Sequence, residues 1–243
     1  MVKKILIFVP GYNISKTIGK AIDNLILLNK DLDFDAIYVD NCSSDASVDI
    51  VKRKIIDNKV NYIRILQNKK NLGYGGSQKV AFKYAFKKRY NYLMEYDGDL
   101  QYPFETIPII YDKIKSTNAS IVFGSRVTKA EHCREMGFVK RFGNHVLNYL
   151  NNWAFNFGVS EIHTGFRIYN LNLIDGVDFR YCHNDYRWSL DSVVEILKIN
   201  ANFSEIPIPG YYHKDKSSPS FTDLIKYNKH MVTRALRYKL LRK

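Results

Sequence analysis

The chain has 243 residues, 46% hydrophobic and 25% charged, with a formal net charge of +13 and an isoelectric point near 9.5. This composition is globular, of a size for one large α/β domain or two small ones, and excludes a disordered chain. It also lacks any apolar run near the roughly 18 residues of a membrane-spanning helix, and the scattered Cys42, Cys133 and Cys182 make neither a disulfide framework nor a metal cluster. The basic excess calls for an anionic partner, whether nucleic acid, an anionic membrane surface or a phosphorylated substrate.

In chain order, Ile5-Leu6-Ile7-Phe8-Val9 is an apolar run that superficially imitates a signal peptide. It is too short and has no small-residue cleavage site, so it reads as the first core strand of a cytoplasmic protein. Pro10-Gly11 turns the chain, and Ile18, Ala21, Ile22, Leu25 and Leu28 then recur at helical spacing, with Asn13 or Ser15 as N-cap. Ala36-Ile37-Tyr38-Val39 is a second strand ending in Asp40, and Ser43-Ser44-Asp45 offers caps for a helix through Ile56. A third strand over Tyr62 to Leu66, a helix over Ser77 to Tyr90, a fourth strand over Tyr92 to Tyr96 and a fifth over Ser120 to Phe123 continue the alternation. Beyond Gly124 the pattern changes to a long helix over Val139 to Phe157, a polar loop over Ser160 to Arg167 and a helix over Asp191 to Ile199. Ile206-Pro207-Ile208-Pro209 reads as an edge strand, because proline is poorly tolerated inside a sheet.

Strands that are apolar throughout, separated by helices, predict a mostly parallel sheet covered on both faces. Ligands then bind at the carboxyl ends of the strands. Three strand ends run into polar residues, Tyr12-Asn13, Asp40-Asn41 and Asp97-Gly98-Asp99, and these loops are expected to converge on one crevice. Asp97 and Asp99 stand one residue apart after an apolar run, and side chains at i and i+2 of an extended segment point the same way. Such a pair repels itself unless a cation lies between, and hard oxygen ligands suit Mg²⁺ or Mn²⁺ carrying phosphates. The Gly73-Tyr74-Gly75-Gly76 stretch lacks the spacing of a dinucleotide-binding loop and is set aside.

Together these landmarks resemble family 2 glycosyltransferases of the GT-A fold, especially the branch of dolichol-phosphate mannosyltransferase and bacterial polyprenyl-phosphate sugar transferases. The resemblance covers essentially the whole chain. Val9-Pro10-Gly11-Tyr12-Asn13 is similar to the family's opening V-I-P-x-Y-N-E, and Tyr38 to Asp45 to V-D-D-G-S-x-D. Asn71 to Gly76 is similar to N-x-G-x-G-x-A, and Asp97 to Pro103 to D-A-D-L-Q-H-P. Gly124-Ser125-Arg126 matches G-S-R, and Glu161 to Arg167 is similar to D-x-T-S-G-F-R. Ile14, Asn41 and Glu161 depart from the pattern, standing where the family has Glu, Asp and Asp.

The resemblance implies a single GT-A domain over residues 1–218 and a metal-dependent, inverting transfer from a UDP- or GDP-linked sugar. Pro10, Tyr12, Asn13, Asp40, Asn41, Gly73, Asp97 and Gly98 would hold the nucleotide sugar, with Mn²⁺ or Mg²⁺ on Asp97, Asp99 and Gln101. Arg126 would face the acceptor, a polyprenyl phosphate or other membrane-borne intermediate, with Lys140, Arg141 and Arg167 as further acceptor candidates. His213 and Lys214 are lid candidates. A saccharide hydroxyl acceptor would instead need a general base, for which Glu161 and then Asp191 are the candidates.

Residues 219–243 read as a C-terminal basic helical appendage. Leu224, Tyr227, Met231, Ala235 and Tyr238 recur at helical spacing, and seven basic residues stand against Asp223 alone. Such a helix fits an anionic membrane surface and a protein peripheral to the inner face of the cell membrane. It fits equally a helix packed on the domain. Nucleic acid is disfavoured as partner, since the charge concentrates at one end and no binding motif appears.

Overall fold

The computed structural model describes residues 5–128, 138–211 and 221–241. Strands β1 (Ile5–Gly11) and β2 (Asp35–Asp40) are apolar throughout because both of their faces are covered. Alternation sends Leu6, Phe8, Ile37 and Val39 into one core and Ile5, Ile7, Val9, Ala36 and Tyr38 into the other. Strands β3 (Ile63–Gln67), β4 (Tyr92–Glu95), β5 (Ile121–Ser125), β6 (Arg167–Asn170) and β7 (Phe203–Pro207) complete a seven-stranded sheet of order β3-β2-β1-β4-β6-β5-β7. β6 runs antiparallel to both its neighbours, while the other pairings are parallel. The expected α/β fold with a mostly parallel sheet is therefore present, and β7 lies at the edge, where its proline does no harm.

One core is closed by α1 (Ile18–Leu28), α2 (Ser47–Asp57) and α4 (Ile107–Thr117), through Ile18, Ile22 and Leu25, Val51, and Ile110 and Ile114. The other is closed by α3 (Tyr74–Lys87), α5 (Phe138–Phe155), α6 (Trp188–Leu197) and α7 (Phe221–Leu241), through Phe82, Phe155, Trp188 and Met231. Met231 and Ala235 of α7 are fully buried in that core, so the C-terminal helix is docked on the domain. The proposed boundary at residue 218 falls outside the described residues. None of the described helices is long and apolar enough to cross a membrane.

Two elements go beyond the sequence expectation. α4 was not anticipated, although Ile107, Ile110, Tyr111 and Ile114 have helical spacing. β6 begins at Arg167, the last residue of the segment expected as a polar loop, and runs on to Asn170. Its four residues, Arg-Ile-Tyr-Asn, carry no apolar alternation, yet all four are buried.

The order of the sheet reverses between β1 and β4, which places the loops after β1, β2 and β4 around one crevice. The start of α3 is fixed against the chain before α6. The Gly76 N–H donates to the Asn184 carbonyl at 3.1 Å, and a Cβ on Gly75 would meet the Trp188 Cβ at 2.8 Å and press on the His183 carbonyl. Gly75→Ala is therefore expected to cost about 1–3 kcal/mol through overpacking. Urea denaturation measures this, and wild-type stability would show that α3 can shift at no cost.

Candidate active site

The three strand-end loops each turn on a non-glycine residue in the left-handed region, Asn13 (φ 54°), Cys42 (φ 67°) and Leu100 (φ 61°). Such backbone is uncommon and persists only where surrounding contacts hold it. Here the loops hold one another. The Asn13 N–H donates to Ser43 Oγ at 2.9 Å, the Ser44 N–H to Asn13 Oδ1 at 2.8 Å, and the Ser15 N–H to Asp45 Oδ2 at 2.9 Å. A Cβ on Gly98 would lie 2.6 Å from Ile14 Cδ1 and 3.2 Å from the Pro10 carbonyl oxygen, so the acidic loop packs directly on the first.

Within this frame Tyr12 is half exposed at the mouth. Asp40 is buried and accepts from the Tyr38 hydroxyl at 3.2 Å and the Ser43 N–H at 3.1 Å. Asn41 braces the loop after β3: its Nδ2 donates to Asn71 Oδ1 at 2.9 Å, and its Oδ1 accepts from Asn68 at 3.1 Å and the Leu72 N–H at 2.8 Å. Gly73 has a φ of 76° and backs onto the main chain of Asn184.

Asp99 is 7% exposed, and its Oδ1 accepts the Gln101 N–H at 3.2 Å. Gln101 in turn accepts the Tyr211 N–H on its carbonyl at 2.8 Å, which fixes its backbone beside the acids. No N–H or O–H among the described residues donates to the Asp97 carboxylate. Burial first, and then the charges of Glu95 and Asp99, hold its pKa well above the usual carboxylate range, against the opposing pull of Arg126 and Arg167. Gly165 crowds the same carboxylate, since a Cβ there would lie 2.6 Å from Asp97 Oδ2. A crowded, donor-free carboxylate beside a second acid is the donor set of a hard divalent cation, so the residues present fit the expected metal.

Glu95, Tyr102 and Gly165 also belong to this cluster, and no sequence motif assigns them a role of their own. Glu95 was signalled only as an acid inside an apolar run. It accepts from the Tyr74 hydroxyl at 2.8 Å and from the Gln78 amide, and burial pushes its pKa up to about 7 despite Arg167. Tyr102 joins the acidic loop to the segment before β6, its hydroxyl accepting from the Gly165 N–H at 3.2 Å. The Arg126 guanidinium lies 5.6 Å from the centre of the Tyr102 ring.

Three sequence expectations meet a different arrangement. Glu161, offered as a general base, is buried and bonded to Arg126 throughout: its Oε2 accepts the Arg126 backbone N–H at 2.7 Å, and its Oε1 accepts Nε at 3.1 Å and also Nη2. It orients Arg126, and these bonds engage both of its oxygens. Asp191, the second base candidate, accepts from the His183 N–H at 3.0 Å, His183 Nδ1 at 2.6 Å and His230 Nε2 at 2.7 Å, with Arg234 at 3.3 Å. Burial alone would raise its pKa, but these bonds and the Arg234 charge outweigh it and hold the carboxyl well below the usual range. Arg167, offered to an acceptor phosphate, is fully buried. Its fork goes to the carbonyls of Thr164 (2.6 and 3.0 Å), Ile162 and Ser189 and to the Tyr169 hydroxyl, so it supports the loop from beneath. Lys140 and Arg141 lie on α5, with their side chains outside the described residues, as are His213 and Lys214 altogether.

Removing one partner of a buried ion pair strands the other charge. Glu161→Ala should therefore lose about 3–5 kcal/mol of stability. Denaturant unfolding checks it, and a loss below that of an ordinary surface substitution would show that Arg126 finds another partner.

The sequence profile of glycosyl transferase family 2 matches residues 6–177. Among curated proteins, the chain is 24% identical over 223 residues to UDP-N-acetylglucosamine–dolichyl-phosphate N-acetylglucosaminyltransferase of Methanococcus voltae, covering 86% of each chain. It is 26% identical to dolichyl-phosphate beta-glucosyltransferase of Dictyostelium discoideum, over 96% of this chain and 74% of that one. Among solved structures, glucosyl-3-phosphoglycerate synthase of Mycobacterium tuberculosis, in complex with Mn²⁺ and UDP, superposes with a TM-score of 0.65. That alignment covers 98% of this chain and 80% of the synthase at 14% identity, a likeness of fold. With the family's motifs gathered at one end of the sheet and the profile spanning most of the chain, the protein belongs to glycosyl transferase family 2.

Proposed function

We propose that the protein transfers a sugar from a nucleoside-diphosphate donor to a polyprenyl phosphate, with inversion at the anomeric carbon. The observation that carries this reading is the contrast between the acids of the crevice. Asp97 and Asp99 lie close together with their charge opposed by burial, which supports a cation there, while Glu161 and Asp191 are both engaged by cationic or imidazole side chains. A sugar hydroxyl acceptor needs a base within reach, and a phosphate monoester does not, because it is already anionic near neutral pH. The acceptor phosphate oxygen attacks the anomeric carbon as the bond to the nucleoside diphosphate breaks, and the diphosphate leaves with the electron pair. Two relatives are named for dolichyl phosphate, which supports the same acceptor class.

Tyr12, Asn13 and Asp40 would hold the nucleoside, with Asn41 and Gly73 shaping the wall behind it. Mn²⁺ or Mg²⁺ on Asp97 and Asp99 would supply Lewis-acid neutralisation of the charge growing on the leaving diphosphate. A UDP-linked donor is supported by the archaeal relative's name and by the UDP held in the mycobacterial synthase. Arg126, turned and fixed by Glu161, would face the acceptor phosphate, to which a planar guanidinium presents paired donors.

Asp99→Asn should fold normally and lose roughly 100-fold or more in turnover, and chelator should abolish wild-type activity until Mn²⁺ or Mg²⁺ is restored. Undiminished transfer by that variant in chelator would remove the metal from the reaction. Arg126→Lys retains charge but not the fork, so the acceptor KM should rise about tenfold with donor affinity little changed. Steady-state kinetics with each substrate varied in turn distinguishes this from a donor defect.

A further inference from the structure

Helices α5 and α7 carry exposed apolar side chains that neither the cores nor the crevice use. On α5, Val146, Tyr149 and Trp153 form one stripe, with Tyr149 76% and Trp153 45% exposed. On α7, Ile225, Val232, Leu236 and Leu240 form another, about one residue step (~100°) round the helix from the buried Met231 and Ala235. The two stripes adjoin. Phe155 packs on Tyr238 at 4.7 Å, and Asn151 meets His163, which bonds Tyr227, so the two helices lie side by side. Lys239, on the outer side of α7, stands 5.4 Å from the Trp153 ring, which puts both stripes on one side of the molecule.

Among the described residues, the charges on the exposed part of α7 are basic apart from Asp223 in its first turn. Lys226, Lys229, Arg237 and Lys239 are exposed, and among the described residues no carboxylate pairs with them. Arg234, which points to the domain, differs in this respect, being paired with Asp191 and Glu195. An apolar strip bearing a tryptophan and a tyrosine and bordered by unpaired cations is complementary to one kind of surface. Aromatic side chains settle at the headgroup level of a bilayer, and lysine and arginine are drawn to anionic lipid.

We infer that α5 and α7 together form a docking face for an anionic phospholipid bilayer, with Tyr149 and Trp153 as its interfacial anchors. The inference rests on the lipid-acceptor reading for its purpose, and it extends the membrane expectation for residues 219–243 from a single helix to a two-helix platform. The inner side of the same platform reaches the site. Tyr227 bonds His163, two residues from Glu161, and His230 bonds Asp191, which holds His183 beside the glycine-rich turn. Docking through the outer side would therefore set the crevice at a fixed orientation to the membrane surface.

The chain has two tryptophans, and Trp188 is buried, so a change in emission on binding reports Trp153. The full-length protein is mixed with phosphatidylcholine vesicles, with and without phosphatidylglycerol, at low and high salt, with no polyprenyl phosphate present. Expected are co-sedimentation and a blue shift of emission with the anionic vesicles at low salt, both reversed by salt. Binding should weaken about tenfold in Tyr149→Ser/Trp153→Ser through lost apolar burial. Arg237→Glu/Lys239→Glu, both exposed substitutions, should abolish binding even where the aromatic variant folds poorly. Binding without any blue shift, equal binding by both double variants, or tighter binding to heparin than to anionic vesicles would overturn the inference. Transfer to detergent-dispersed polyprenyl phosphate is measured alongside. If that activity persists while vesicle binding is absent, the docking face fails and the proposed reaction stands.

Discussion

Two carboxylates crowded at the end of β4 set the constraint around which the rest of the site is arranged. Asp97 sits where burial and two neighbouring acids all oppose its charge, and among the described residues no donor bonds it. Folding must hold this unfavourable cluster in place, and it does so by rigidity nearby. The loops after β1 and β2 are tied by main-chain bonds to serine, asparagine and aspartate side chains. Glycine at 98 and 165 lets neighbouring backbone close on the acids without a clashing Cβ. A site built this way favours a divalent cation, because burial and the neighbouring acids outweigh the charges of Arg126 and Arg167.

The cations near this cluster have separate tasks that their charge alone does not reveal. Arg167 lies beneath the site and spends its donors on carbonyls, so it stiffens the 162–164 turn while its charge tempers the acids above. Arg126 is held by Glu161 on its backbone and side chain at once, which fixes its plane as well as its position. A guanidinium oriented in advance loses less freedom when it meets a phosphate, and that favours a role at the acceptor.

The C-terminal helix joins two parts of the molecule that the sequence presents as unrelated. Its buried residues complete a core, its Tyr227 and His230 brace the segments beside the crevice, and its outer side is apolar and basic. Burial, with the charges of Arg167 and Arg126, pushes the His163 imidazole down to about 3, and its Nδ1 is bonded to the Tyr227 hydroxyl. Helix and site loop therefore behave as one packed unit.

Local sequence determined most strands, most helices and the convergence of Tyr12-Asn13, Asp40-Asn41 and Asp97–Asp99, because apolar runs, spacing and strand-end position are properties of neighbours in the chain. β6 was not legible, since four residues with a charged first member show no strand pattern, and only pairing between β4 and β5 buries them. The roles of Glu161, Asp191 and Arg167 were likewise invisible. Each residue type suits catalysis, and what occupies them here is a set of contacts that spacing does not show: Arg126 is 35 residues from Glu161, His230 is 39 from Asp191, and Arg167 turns back onto the Thr164 carbonyl. A motif determines which chemical groups arrive at a site, whereas the free or occupied state of their lone pairs and protons depends on long-range contacts that only the tertiary structure decides.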